Sequence, residues 1–190
     1  KIVIIFVNNY LQCVECVDAL LTRKNDGIIV IGSTISPSEM RSLGDMCSEQ
    51  GVSILAAPVT GGVRAALTGS LTVITSGDNN IIDICTPVFA TYAVNIIRAG
   101  DNMDDAQKMK ALNQLLVGIN AVAMAEVFVL GQKAGLDLNI IYDTLVKGAG
   151  YTRLLENRGP LIINRDFKKR GTIEIMNKDL AACGDLAKEA

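Results

Sequence analysis

Consecutive apolar residues, rather than alternating ones, mark the strand-like segments at the start of this chain. Residues 1–7, Lys1-Ile2-Val3-Ile4-Ile5-Phe6-Val7, read as a buried strand. Residues 10–22 read as a helix, with Leu11, Val14, Val17, Leu20 and Leu21 on one face. Asn25-Asp26-Gly27 reads as a turn, and Ile28-Ile29-Val30-Ile31 as a second apolar strand. Ser36-Pro37 then opens a helix: Ser36 is the N-cap, Pro37 the first helical residue, and Glu39 completes a capping box. That helix runs to about Gln50, and Gly51 stops it. Further strands are expected at 53–56, 71–75 and 93–98, with a helix near 79–87 between the last two.

Apolar strands separated by helices imply a parallel sheet covered on both faces. The predicted fold class is therefore α/β, a partial doubly wound sheet of Rossmann type, followed by a long helix and an all-α region. The change comes near Asp104, where one proline-free helical window runs to about Ala134. Helices at about 137–147, 151–158 and 172–189 follow, which divides the chain into 1–104 and 105–190. The stretch from Ala111 to Leu130 is apolar enough to suggest a membrane span, but Asn113, Gln114, Asn120 and Glu126 are costly in lipid. A buried helix, wrapped by other helices or by a partner chain, is expected instead.

Composition narrows the chemistry. At 190 residues, 49% apolar and 20% charged, the chain has material for one ordinary domain or two small ones. A net charge of −2 supplies no basic field for nucleic acid. Histidine is absent, which removes imidazole from any triad, general base or metal site, and no metal site is expected. Five scattered cysteines fit a reducing compartment, so a cytoplasmic location is expected. Cys13 and Cys16 form a C-x-x-C at helical spacing, with no second pair to complete a zinc site. No charged segment precedes the first strand as it would in a signal sequence, and a chain opening inside a strand is expected to be N-terminally truncated.

Three segments carry more polar detail than packing requires. Gly32-Ser33-Thr34-Ile35-Ser36-Pro37 lies after a strand and before a helix, where open α/β sheets bind ligands. Helix capping alone explains Ser36 and Pro37. Pro58-Val59-Thr60-Gly61-Gly62 places two glycines where backbone N–H groups can approach an anion, or where a plain turn is needed. On the long helix, Lys110 and Gln114 share a face, with Asn113 beside them. Burial would lower the lysine pKa and make it a usable acid/base; snorkelling at the end of a buried helix is the plainer reading.

In this order, the three segments resemble the β-hydroxyacid dehydrogenase family, which includes 3-hydroxyisobutyrate, tartronate semialdehyde, L-threonate and 6-phosphogluconate dehydrogenases. The matching residues are Ser33-Thr34-Ile35-Ser36-Pro37, Pro58-Val59-Thr60-Gly61-Gly62, Gly69-Ser70-Leu71, Lys110 through Gln114, Ala125-Glu126 and Lys178-Asp179-Leu180. Gln114, Leu115-Leu116, Gly118 and Glu156-Asn157-Arg158 resemble the L-threonate dehydrogenase-like branch. The resemblance implies hydride transfer between NAD or NADP and a small 3-hydroxy acid such as L-threonate or 3-hydroxyisobutyrate. It makes Lys110 the catalytic acid/base. Thr60, Gly61, Gly62, Asn113 and Gln114 become substrate-binding residues, and Val7, Asn8, Thr34 and Lys178 cofactor-binding ones. It also implies a homodimer through the helical region.

The sequence departs from the family at several places. No G-x-G-x-x-G follows the first strand, so the pyrophosphate would lack its helix N-terminus. Asp104 and Asp105 stand where the family has glycines, and would repel an acidic substrate or cap the helix. Thr60 replaces a serine, Ala57 an aspartate, and Tyr151-Thr152-Arg153 the branch's N-S-W. Two other readings follow: a catalytically inactive relative kept for dimerisation or partner binding, and an α/β module with an unrelated ligand at Gly61-Gly62.

Overall fold

The computed structural model describes residues 1–23, 27–168 and 172–190. Asn25 and Asp26 of the expected turn lie outside the described residues. Two compact units are present. The first comprises Lys1–Leu112 with Asn177–Ala190, and the second Asn113–Met176.

The first unit is built on a six-stranded sheet. Strands β1 (Ile2–Ile5), β2 (Ile28–Ile31) and β3 (Ser53–Ala56) pair in parallel, Ile2 with Ile28 and Ile28 with Ser53. Their crossovers are α1 (Tyr10–Thr22) and α2 (Pro37–Ser48). Ser36 caps α2 as its sequence pattern predicts: its Oγ accepts from Glu39 N at 3.2 Å, and Glu39 Oε2 accepts from Ser36 N at 2.7 Å. Two apolar clusters cover the sheet. One centres on Cys13, Val17, Ile29, Ile31, Met40 and Leu43, the other on Val30, Leu55, Val73, Ile82 and Phe89.

After β3 the sheet is no longer purely parallel. A parallel return needs a crossover, usually a helix packed on a face of the sheet. The chain instead forms a two-residue strand β4 (Val59–Thr60) and a short helix α3 (Gly62–Leu67), neither of which was expected from the apolar pattern. Strand β5 (Leu71–Ser76) therefore runs antiparallel to both β3 and β4. The eleven-residue helix α4 (Asn79–Phe89) restores the crossover, and β6 (Ala93–Gly100) pairs with β5 in parallel.

Helix α5 (Asp105–Lys133) begins in the first unit and continues through the second. The second unit adds α6 (Leu138–Leu145) and α7 (Arg153–Ile163) around Phe128, Ile141 and Leu155. Gly131 and Gly159 permit this packing, since a Cβ at either would lie 2.4 Å from Ile141 Cδ1 or 2.6 Å from the Tyr142 ring. Helix α7 extends beyond the expected end at 158 and contains Pro160. Proline removes the N–H that would bond the carbonyl of Glu156, and the Tyr142 hydroxyl donates to that carbonyl at 3.3 Å. Helix α8 (Ile173–Glu189) closes the chain, and its residues from Asn177 onward belong to the first unit.

One side of the long helix is open in the single chain. Leu116 is 59% exposed and Leu130 70%, and Leu115, Ile119, Val122, Val127 and Val129 are also open. Among the described residues it is the one helix long and apolar enough to cross a membrane. Among the described residues no neighbouring helix covers this face, which leaves a partner chain as the other cover that the sequence offered.

Candidate functional site

At the carboxyl ends of β1 and β2, side-chain hydrogen bonds link the loops that follow the strands. Ser33, buried just after β2, accepts a hydrogen bond at Oγ from the backbone N–H of Val7 at 2.7 Å. Its hydroxyl faces the carbonyl of Ile5 at 3.4 Å. The loops that follow the two strands are thus held together. Thr34 is half-buried, and its carbonyl oxygen accepts from Lys178 Nζ on α8. Asn8 lies on the exposed rim, where its N–H donates to Gln12 Oε1 at 2.9 Å.

Helix α5 completes the arrangement from its first two turns. Gln107 is fully buried; its Nε2 donates to the carbonyl of Ser33 at 2.9 Å and its Oε1 accepts from Ile35 N at 3.3 Å. Lys110, three residues on, is 6% exposed. Burial brings its pKa down from 10.5 to about 8; the charge of Asp179 opposes the shift and that of Lys178 adds to it. Asp179 is itself buried, with its Oδ1 3.1 Å from Lys178 Nζ. Val7, Thr34, Lys110 and Lys178 are therefore brought to one end of the sheet. Ser33, from the same ligand-loop segment as Thr34, joins them, as do Gln107 and Asp179, which sequence reasoning had not singled out as site residues.

The acidic pair before Lys110, read from sequence as repelling an acidic substrate or capping the helix, is paired within the protein. Asp104 is buried beneath Arg41 and Lys108, with Lys108 Nζ 2.9 Å from Oδ1 and Arg41 Nη1 bonded to Oδ2. Burial alone would raise its pKa, but the hydrogen bonds from Lys108 and Arg41 outweigh this and hold it below the ordinary value. Lys108 also reaches Asp105 at 3.0 Å, and Asp105 Oδ2 accepts from Asn102 N at 3.0 Å. Both carboxylates are thus engaged, and Lys108 is turned away from Lys110.

The Thr60-Gly61-Gly62 turn stands at the end of β4. Gly61 and Gly62 have φ of 127° and 71°, values that exclude most side chains, so the glycines are required by the backbone itself. Asn113 and Gln114 belong to the second unit, where Asn113 Nδ2 donates to Gln114 Oε1 at 2.9 Å.

Two family models together cover the chain except residues 101–104. Residues 1–100 match the NAD binding domain of 6-phosphogluconate dehydrogenase. Residues 105–190 match the NAD-binding domain of NADP-dependent 3-hydroxyisobutyrate dehydrogenase. The chain belongs to the β-hydroxyacid dehydrogenase family. Within this oxidoreductase family, it is 33% identical over 163 residues to the L-threonate dehydrogenase of Cupriavidus necator, matching 86% of this chain and 55% of that one. It is 34% identical over 165 residues to the 2-hydroxy-3-oxopropionate reductase of Escherichia coli, at 87% and 55% coverage. The 3-hydroxyisobutyrate dehydrogenase structure from Salmonella typhimurium superposes with a TM-score of 0.90 at 29% identity, covering 99% of this chain and 67% of that one. The chain thus spans about half the length of the curated relatives it matches.

Both matched domains are NAD-binding ones, which gives NAD or NADP as the cofactor class. The chain's residues suit such a ligand at the carboxyl ends of β1 and β2. Gly32 leaves no room for a side chain beneath the loop, since a Cβ would lie 2.3 Å from the Phe6 ring. The ammonium of Lys178 is already aimed at the Thr34 backbone, where a polar ligand can share it.

Proposed function

We infer that the chain forms part of an NAD(P)-dependent dehydrogenase acting on a small 3-hydroxy acid such as L-threonate or 3-hydroxyisobutyrate. The observation that carries this reading is Lys110, a lysine buried at the cofactor end of a nucleotide-binding sheet with its pKa lowered to about 8. A neutral amine there accepts the proton of the substrate hydroxyl, and the same group as an ammonium returns it in the reverse direction. NAD or NADP supplies the hydride acceptor when bound.

The other residues divide the remaining work. Val7, Asn8, Thr34 and Lys178 line the cofactor side. The backbone N–H groups of Gly61 and Gly62, with the Thr60 hydroxyl, suit a carboxylate. Gln114, four residues beyond Lys110, and its neighbour Asn113 take the substrate hydroxyl. Residues 1–104 act as the C-terminal part of a Rossmann-type domain, and 105–190 as the helical substrate and dimerisation region. A second copy of the chain is the partner for the open apolar face of α5, and a cytoplasmic location accompanies this reading.

Calorimetric titration with NAD and NADPH, followed by a turnover screen with L-threonate and 3-hydroxyisobutyrate, tests the proposal. Micromolar cofactor binding and turnover abolished by Lys110→Ala are expected. Full turnover in Lys110→Ala would remove Lys110 from the mechanism. The absence of binding to either nucleotide would favour the alternative, a catalytically inactive fragment or a pseudoenzyme acting as a dimerisation or binding module.

A further inference from the structure

Gln107 makes two contacts that simple packing does not require. Its carboxamide is inside the protein, and it bonds the chain on both sides of Thr34. One arm accepts the N–H of Ile35 at 3.3 Å, and the other donates to the carbonyl of Ser33 at 2.9 Å. These partners lie 72 and 74 residues away in the sequence. Buried backbone groups require a partner, and in a loop after a strand they have no ladder to provide one. A single side chain on α5 satisfies both.

The placement of that side chain matters as much as its bonds. Gln107 and Lys110 are three residues apart on one helix, and both are buried, so they face the same interior. Thr34 sits between the two backbone groups that Gln107 holds, and its own carbonyl is held by Lys178. The loop is thereby pinned from α5 and from α8 at three successive residues. Its distance from Lys110 is set by the length of one carboxamide side chain and one helical turn.

We propose that Gln107 is a positioning residue of this dehydrogenase: it fixes the Ser33-Thr34-Ile35 loop against α5 and so sets the spacing between the cofactor-facing Thr34 and the acid/base Lys110. The assignment rests on the function proposed for Lys110 and Thr34, and adds to it a residue that touches neither substrate nor cofactor. Methionine at this position would keep the volume and lose both hydrogen bonds. Asparagine would keep the amide but fall one methylene short of spanning both partners.

The test compares the unaltered chain with Gln107→Met and Gln107→Asn by three measurements. Amide exchange of Ile35 reads the tether itself. NMR titration of the Lys110 ammonium, with Asp179 and Lys178 unchanged beside it, reads how dry the site remains. Steady-state kinetics separate kcat from KM. In both variants the Ile35 amide is expected to exchange about tenfold faster or more. Lys110 is expected to titrate higher as water reaches it, and kcat to fall about tenfold or more with KM for the hydroxy acid nearly unchanged. Unchanged Ile35 protection would overturn the tether. Lost protection with kcat and the Lys110 titration both preserved would overturn the positioning role. If the unaltered chain shows no turnover by itself, the catalytic reading loses its support, and Ile35 exchange with the Lys110 titration still decides whether Gln107 governs the site. Should Gln107→Met not fold, Gln107→Asn carries the same comparison.

Discussion

Lys178 donates a hydrogen bond to the carbonyl of Thr34, 144 residues earlier in the chain. This contact ties the last helix to the loop after β2 and leaves the ammonium close to Asp179, 3.1 Å away. If this loop faces the cofactor as proposed, a charged donor held there contributes to ligand affinity only while the charge remains. Lys178→Met is expected to weaken NADH binding by about tenfold or more, the scale of one charge-assisted hydrogen bond. Fluorescence titration of both proteins measures it, and equal affinities would remove Lys178 from the cofactor site.

Lys110 makes a paired prediction about activity and stability. Burial holds its folded pKa at about 8, below the 10.5 of an ordinary lysine. Oxidation of a hydroxy acid needs the neutral amine, so kcat/KM is expected to rise with pH through about 8 and then level off. Stability follows the same proton. Between about 8 and 10.5 the unfolded chain holds a proton that the folded chain has lost, so folding becomes more favourable as pH rises across that window. Below it, the buried ammonium costs roughly 3 kcal/mol. Lys110→Met should therefore be inactive yet more stable than the unaltered chain at pH 7, with the difference fading above pH 10 or so. Urea titrations at several pH values check this, and a pH-independent difference would contradict the buried-amine picture.

Asp104 behaves in the opposite sense. Its folded pKa is held below the ordinary 3.8 by Lys108 and Arg41. The stability it contributes is present above that ordinary value and is lost as pH falls through the folded pKa. Asp104→Asn leaves Lys108 and the half-exposed Arg41 without their shared acceptor, and a loss of about 2 kcal/mol is expected at neutral pH. The loss should shrink in acid, where the unaltered carboxylate is also protonated. A penalty that persisted undiminished at low pH would point to packing rather than charge.

Much of this arrangement was legible in the chain because the relevant signals are local. Continuous apolar runs located β1, β2 and β3, and Ser36, Pro37 and Glu39 located the start of α2. Strand β4 escaped because two residues cannot show a period, and with it went the antiparallel placement of β5. Pro160 made α7 look shorter than it is, because the Tyr142 hydroxyl that replaces the lost helical bond comes from a different helix. The site divides along the same line. Lys110 stood out by its apolar surroundings. Gln107 did not, since a glutamine three positions before a lysine reads as ordinary helix surface until the loop that it binds is in place. Asp104 and Asp105 left repulsion and helix capping both open, because Arg41, which pairs with Asp104, lies 63 residues earlier.

The exposed side of α5 calls for a partner, and its pattern suggests which kind. Leu116, Ile119, Val127 and Leu130 fall at spacings of three, eight and three, with Ala123 between them, a stripe that follows one face of the helix. A lipid-facing helix would be apolar all round, whereas Asn113, Gln114, Asn120 and Glu126 interrupt this one. A helical face from a second copy of the chain would bury the stripe, with a gain of about 25 cal/mol for each Å² of apolar surface removed from water. Light scattering is expected to show a dimer, and the double substitution Leu116→Glu, Ile119→Glu should convert it to a monomer. Both side chains are exposed in the single chain, so its own fold should survive, as circular dichroism can verify. A dimer that persisted in the double variant would place the interface elsewhere. Capture of the unaltered chain by lipid vesicles, lost in the same variant, would instead make this face a membrane-binding one.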